Sequence, residues 1–132
     1  MIGPQGSGIG STVSKKDEAI TVTSSYTNVF NFDIGTYSDG VLVLWADTLT
    51  NYRIYASAKD GTSAPIDGDD SWVNILDTNS TPSKYDSTTS KALPANTTFY
   101  ESVSNKWRWF RIDMQTATTS NVKIWFRGRN II

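Results

Sequence analysis

Three carboxylates crowd one short stretch of the chain: Asp67, Asp69 and Asp70, with Gly68 between the first two. Oxygen ligands at that spacing suit a hard cation such as calcium. The stretch lacks the rest of an EF-hand loop, with no acid at its final ligand position, so a solvated turn is expected and no metal. Glycoside hydrolysis needs two carboxylates facing each other across a cleft, and only Glu101 lies near a strand end. The chain contains no histidine and no cysteine. Ser-His-Asp, Cys-His and histidine–metal chemistries are therefore excluded, as are disulfides. Gly3-x-x-Gly6-x-Gly8 has letters of a dinucleotide fingerprint but follows no strand and opens no helix, and no Gly-Lys-Ser/Thr follows Gly61 or Gly68. These residues predict a protein that is not an enzyme and takes no cofactor.

The remaining reactive surface is aromatic and basic. Lys106, Arg108, Arg111, Lys123, Arg127 and Arg129 crowd the last quarter, whereas Asp60, Asp67, Asp69, Asp70 and Asp77 crowd the middle. The formal net charge is only −1, so the chain as a whole has no nucleic-acid footprint. Its uneven distribution would let opposite-signed regions meet on neighbouring subunits. Ser, Thr and Asn make up about a third of the residues, above ordinary usage, and Trp and Tyr are frequent, a mixture that favours strands and adhesive surfaces. No apolar run is long enough for a membrane helix, and the first ten residues lack the basic and apolar regions of a signal peptide.

Short runs of period-two character, separated by turn residues, must position these groups. They are Ala19–Thr23, Val29–Ile34, Val41–Ala46, Tyr52–Ala56, Trp72–Leu76, Thr97–Val103, Trp107–Met114 and Asn121–Arg127. Val41–Ala46 is apolar on both faces and reads as a central strand covered on both sides. Lys59–Asp70 and Asp77–Ser90 read as loops. The pattern predicts an all-β fold, a two-sheet antiparallel sandwich or jelly roll of about eight strands spanning residues 17–132. Residues 1–16, rich in Gly and Ser, read as an extended N-terminal arm that could anchor on a partner through Ile2, Ile9 and Val13.

The last two runs fix a phase. Phe110, Ile112 and Met114 share one face, as do Val122, Ile124 and Phe126, and burying these six is the simplest arrangement. It pushes Trp109, Arg111, Trp125 and Arg127 outward. If the two strands pair, these four form a compact Trp/Arg patch of the residue types enriched at interface hot spots; the alternative is that a loop or the N-terminal arm covers the tryptophans. A homo-oligomer, dimer or trimer, with this patch at or near the contact is the expectation.

Several stretches carry a resemblance. Phe32-Asp-Ile-Gly-Thr-Tyr-Ser-Asp-Gly-Val-Leu-Val-Leu-Trp-Ala46, Tyr55-Ala-Ser-Ala-Lys-Asp-Gly61 followed by Trp72-Val-Asn-Ile75, Arg108-Trp-Phe-Arg-Ile-Asp-Met114 and Lys123-Ile-Trp-Phe-Arg-Gly-Arg129 resemble segments of small β-sandwich proteins of tailed-phage virions. The likeness covers most of the chain from Phe32 onward, and the N-terminal arm is not part of it. It implies a head decoration or cement protein, made in the host cytoplasm and bound to the major capsid protein on the virion exterior, with no catalytic residues. The strand patterns also resemble galactose-binding-like sandwiches. The alternative is therefore a carbohydrate-binding or host-adhesion module of a fibre, with Trp72, Trp107 or Tyr100 as a platform for a pyranose ring. A cellular surface-assembly protein is a third reading.

Overall fold

Alternation of side chains across a pleated strand makes a sheet apolar on one face, and two such faces bury each other. The computed structural model, which describes residues 12–34, 37–77 and 88–129, realises this with nine strands: β1 (Thr12–Val22), β2 (Thr27–Asp33), β3 (Asp39–Ala46), β4 (Thr50–Ser57), β5 (Val73–Asn74), β6 (Lys91–Leu93), β7 (Thr97–Ser104), β8 (Trp109–Gln115) and β9 (Ser120–Arg129). Two antiparallel sheets pack face to face. One has the order β1-β9-β3-β7; the other has the order β2-β8-β4-β5, with β6 also pairing β4.

The pairing has a simple rule. β1 pairs β9, β2 pairs β8, β3 pairs β7 and β4 pairs β6. This is one long antiparallel ribbon folded at its middle and then wound so that β9 also meets β3 and β8 also meets β4. The result is the jelly-roll order. The ribbon's bend is the excursion between β4 and β6, where β5 pairs Tyr55 and Ala56 on the same edge of β4 that β6 uses further along.

The inner faces meet in one core. Phe110, Ile112, Met114, Val122, Ile124 and Phe126 are all fully buried, in the phase read from the sequence. Phe32 stacks between Phe110 and Phe126, with centroids at 5.1 and 4.3 Å. A single extra residue, Val29, bulges from β2 between Asn28 and Phe30. The bulge leaves Asn28 on the outer face while Phe30 and Phe32 pack inward. At one end of the sandwich, Gly40 of β3 stands opposite Gly128 of β9. A Cβ on Gly40 would lie 2.5 Å from the Phe126 ring and 2.8 Å from the Arg127 carbonyl oxygen, and one on Gly128 would meet the Tyr37 ring. Two aromatic rings thus lie directly on backbone, a use of strand glycine that only the missing side chain permits.

Three expectations change. The strand Lys91–Leu93 escapes a periodicity reading because it has too few residues to alternate. Residues 12–16, expected in the arm, belong to β1: Val13 stands opposite Phe126 and Lys15 opposite Ile124. The register then breaks before Ile20, so residues 16–19 face Lys123 alone. This polar bulge is what makes the segment look like a boundary. Ile2 and Ile9 lie outside the described residues. Finally, β3 is not covered on both sides: Leu42, Leu44 and Ala46 are buried, whereas Val41, Val43 and Trp45 remain partly exposed. The strand buried on both faces is β8.

Candidate interaction surfaces

The two sheets have very different outer faces. On the five-stranded sheet, Asp33, Trp109 and Ser57 form one cross-strand row, and Asn31, Arg111, Tyr55 and Asn74 form the next. The segment 58–72 folds back over these rows. Its Trp72 is fully buried against Tyr55 and Trp109. The indole N–H of Trp72 donates to the Ile66 carbonyl at 3.0 Å, and that of Trp109 donates to the Lys59 carbonyl at 3.1 Å. Arg108 adds a bond from Nη2 to the Gly61 carbonyl at 3.0 Å while its Nε pairs with Asp33.

Arg111 is the centre of this covered face. Its side chain is 3% exposed and that of Asp113 8%. Nε and Nη2 donate to the two Asp113 oxygens at 2.9 and 3.1 Å, a bidentate pair of the strong charge-assisted kind. Nη1 donates to Asp67 of the covering loop at 2.6 Å, and the guanidinium carbon lies 5.7 Å from the Trp72 ring centre. Asn28 donates to Asp113 from the other side. The acidic loop, a turn whose Asp67 and Asp70 stay largely in solvent as expected, is also fastened to the sheet through the Arg111–Asp67 bond. Asp69 is equally engaged: it accepts from Lys59 Nζ at 2.8 Å and from the Ser71 amide at 2.9 Å. The Lys59 ammonium first, and Ser71 next, hold its carboxyl down at about 2.

The expected Trp109–Arg111–Trp125–Arg127 patch does not form. β8 and β9 follow each other in sequence but enter different sheets, because the wound ribbon pairs β8 with β2 and β9 with β1. Trp109 and Arg111 are buried under the loop on one side of the molecule; Trp125 and Arg127 lie on the opposite side. The pattern of β8 alone shows which residues point away from the core, but the covering loop comes from a distant part of the chain.

The outer face of the four-stranded sheet has no such cover among the described residues. Across β9, β3 and β7 run three rows: Lys123–Trp45–Thr98, Trp125–Val43–Tyr100 and Arg127–Val41–Ser102. Val41, Val43, Trp45 and Trp125 are partly exposed, and Tyr100 is 72% exposed. Lys123 Nζ lies 5.1 Å from the Trp45 ring centre. At the Arg127 end the face opens into a cleft of about 340 Å³ bordered by Asp39, Gly40, Val41 and Ser102. Trp125 and Arg127 thus keep an outward place, joined by Val41, Val43, Trp45 and Tyr100, which the sequence reading did not group with them. The signal was present in the doubly apolar run Val41–Trp45.

The other candidates separate. Trp72 is buried with its indole N–H engaged, Trp107 packs partly buried against the core, and Tyr100 stands on the open face, so no platform joins the three. Glu101 points between the sheets, where it accepts from Tyr52 Oη at 2.6 Å and from Lys91 Nζ at 2.8 Å. Burial first, and then this hydrogen bond, raise the Tyr52 phenol above its ordinary value. Asp47 accepts from the Asn121 amide at 2.9 Å, the main cause of its lowered pKa, and joins the turn after β3 to the start of β9. Among the described residues no group of three acids is placed to hold a metal, and no helix is long and apolar enough to cross a membrane. Comparison of the chain with protein-family models, curated proteins and solved structures finds no match.

Proposed function

We propose that this chain is a virion structural protein of the capsid cement or decoration kind, which docks through the open face of its four-stranded sheet and has no catalytic role. The observation that carries this reading is the asymmetry of the sandwich. One outer face is sealed by its own loop, with both indole N–H groups and the buried arginine engaged. The other presents Val41, Val43, Trp45, Tyr100 and Trp125 around two cations. Contiguous apolar surface rimmed by polar groups marks a partner site, and Trp, Tyr and Arg are the residues that make such contacts strong. Jelly rolls serve in viral shells and in lectins, a fold-level analogy that adds to the reading without deciding it. The carboxylates with shifted pKa values, Asp47 and Asp69, are held ionised by hydrogen bonds, unlike a catalytic acid kept protonated near neutrality.

The test is re-binding to virion shells stripped of the domain. Wild type should re-bind, and a Val43→Asp/Trp125→Ser variant with an unchanged circular-dichroism spectrum should bind at least tenfold more weakly, about 1.4 kcal/mol. Equal binding of the variant overturns the docking face. A map that places the chain on a tail fibre overturns the capsid role. The carbohydrate reading keeps one specific support, the exposed Tyr100 ring two strands from Trp125. It predicts saturable binding on a glycan array that Tyr100→Ala abolishes.

A further inference from the structure

We infer that β7 is a pairing edge that takes the β7 strand of a second copy, in an antiparallel two-fold ladder centred on Tyr100. The backbone of that strand carries the inference, independently of what the open face binds.

A sheet edge is a row of unpaired amides and carbonyls, and folded proteins guard theirs with short strands, bulges, proline or lysine. The other edges of this sandwich are guarded in these ways. β1 loses its register between Lys15 and Ile20, and β2 between Asn28 and Phe30. The far side of the five-stranded sheet ends in β5 and β6, of only two and three residues. β7 is different. Thr97–Ser104 pairs β3 position by position from end to end with no shift, contains no proline, glycine or basic residue, and has no neighbour on its other side among the described residues. An inward-pointing charge can also guard an edge, but Glu101, the one charge of β7, is already held by Lys91 and Tyr52.

The ladder fixes which groups are free. The Asn105 amide donates to the Ser38 carbonyl at 3.2 Å, which continues the β3–β7 register as a hydrogen-bonded pair. Pair type alternates residue by residue in an antiparallel ladder. Odd-numbered residues of β7 therefore turn their N–H and C=O toward β3, and Thr98, Tyr100 and Ser102 turn theirs outward. Ser104 turns outward too, but its carbonyl accepts from the Trp107 amide at 3.4 Å. Tyr100 is thus the midpoint of the free edge. An antiparallel copy laid against it with Tyr100 opposite Tyr100 sets Thr98 against Ser102 and Ser102 against Thr98, and every free donor meets a free acceptor. Sliding the register by two residues in either direction strands donors and acceptors at an end.

The side chains suit the same register. Tyr100 is 72% exposed and ends the cross-strand row Trp125–Val43–Tyr100; pairing places a second tyrosine beside it and continues the row into the other copy. Aromatic pairs and Thr–Ser pairs directly opposite each other are favourable in a sheet. Glu101 falls opposite Phe99 of the other copy, not opposite its own equivalent. The contact is isologous and uses up both edges, so growth stops at two copies. A single strand pair is smaller than a standard interface, so the dimer fills at high concentration, as on a crowded surface.

Sedimentation velocity and amide exchange on the purified domain test the pairing. At concentrations up to about 1 mM, where weak complexes populate, wild type should pass from monomer to dimer, and the amides of Thr98, Tyr100 and Ser102 should exchange more slowly than in a dilute sample. Ser102→Pro removes an outward N–H that β3 does not use, so the fold tolerates it as an edge proline, and dimerisation should be at least tenfold weaker. If that variant fails to fold, Tyr100→Lys takes its place, because it sets like charges directly opposite each other. Wild type that stays monomeric at about 1 mM overturns the inference. So does a folded edge variant that dimerises like wild type, or a dimer in which those three amides exchange as fast as in the dilute sample. A monomeric domain that still re-binds shells would sink the pairing and leave the docking role standing; a dimer that ignores shells would do the reverse.

Discussion

Removing the carboxyl of Asp113 should be among the most damaging single changes outside the core. The two oxygens of Asp113 accept from Arg111 Nε and Nη2, and the arginine side chain is 3% exposed. Asp113→Ala leaves a buried guanidinium that keeps its pair with Asp67, a mostly exposed loop side chain. Breaking a buried pair by removing one partner costs about 3–5 kcal/mol. Removing Asp67 instead should cost about 0–1 kcal/mol, the range of exposed pairs. Replacing both buried partners with apolar residues, Arg111→Met/Asp113→Leu, removes the stranded charge and should return stability to within about 2 kcal/mol of wild type. The assay is urea unfolding. With a slope of about 2 kcal/mol per molar, Asp113→Ala should lower the midpoint by about 2 M, and the double variant should recover most of it. An Asp113→Ala shift below about 0.5 M would refute the assignment of Arg111 as a buried, paired cation, because that slope makes such a shift only about 1 kcal/mol.

Phe110→Ala and Phe126→Ala should each cost about 3–5 kcal/mol, the range for buried aromatic truncation; calorimetric losses under about 1 kcal/mol for both would mean that neither ring is packed. Gly40→Ala forces a methyl toward the Phe126 ring and the Arg127 carbonyl and should cost about 1–3 kcal/mol by overpacking, whereas a neutral result in thermal melts would show that β3 and β9 relax easily. The loop cover should loosen in acid. The folded pKa of Asp69 is about 2 against an ordinary 3.8, so its contribution is present above the ordinary value and is lost as pH falls through the folded one. Indole N–H exchange at Trp72 and Trp109 should therefore quicken between about pH 4 and pH 2, and exchange that is flat across that window would remove Asp69 from the fastening of the loop.

The parts of this fold that rest on alternation were legible in the sequence. Val122, Ile124 and Phe126 announce one buried face, and Phe110, Ile112 and Met114 another, because three consecutive positions agree in each strand. Alternation says which side chains share a face, not which sheet the strand joins. β8 and β9 are neighbours in sequence, and only the winding of the ribbon separates them, so Trp109 and Trp125 end on opposite sides of the molecule. The cover over Arg111 was equally hidden, since it depends on a non-local contact from Asp67, 44 residues away. For Val41–Trp45, an apolar strand reads the same whether its second face is buried or, as here, partly exposed. The alternating run Asn121–Arg127 stops just before Gly128, a strand residue of β9 whose missing side chain makes room for Tyr37.

The edge strand β1 has one hydrogen-bonded neighbour, and that neighbour is β9. A ribosome delivers these two strands at opposite ends of the domain's synthesis. Until Ser120–Arg129 has emerged, β1 has no ladder to join, and β3 lacks its partner on one side. A nascent chain halted in the turn before Ser120 does not hold a smaller version of the four-stranded sheet: it holds a β3–β7 pair and a detached strand, with the inner faces of both uncovered. The four-stranded sheet therefore closes only after β9 is released, and copies terminated before it expose apolar inner faces of the aggregation-prone kind.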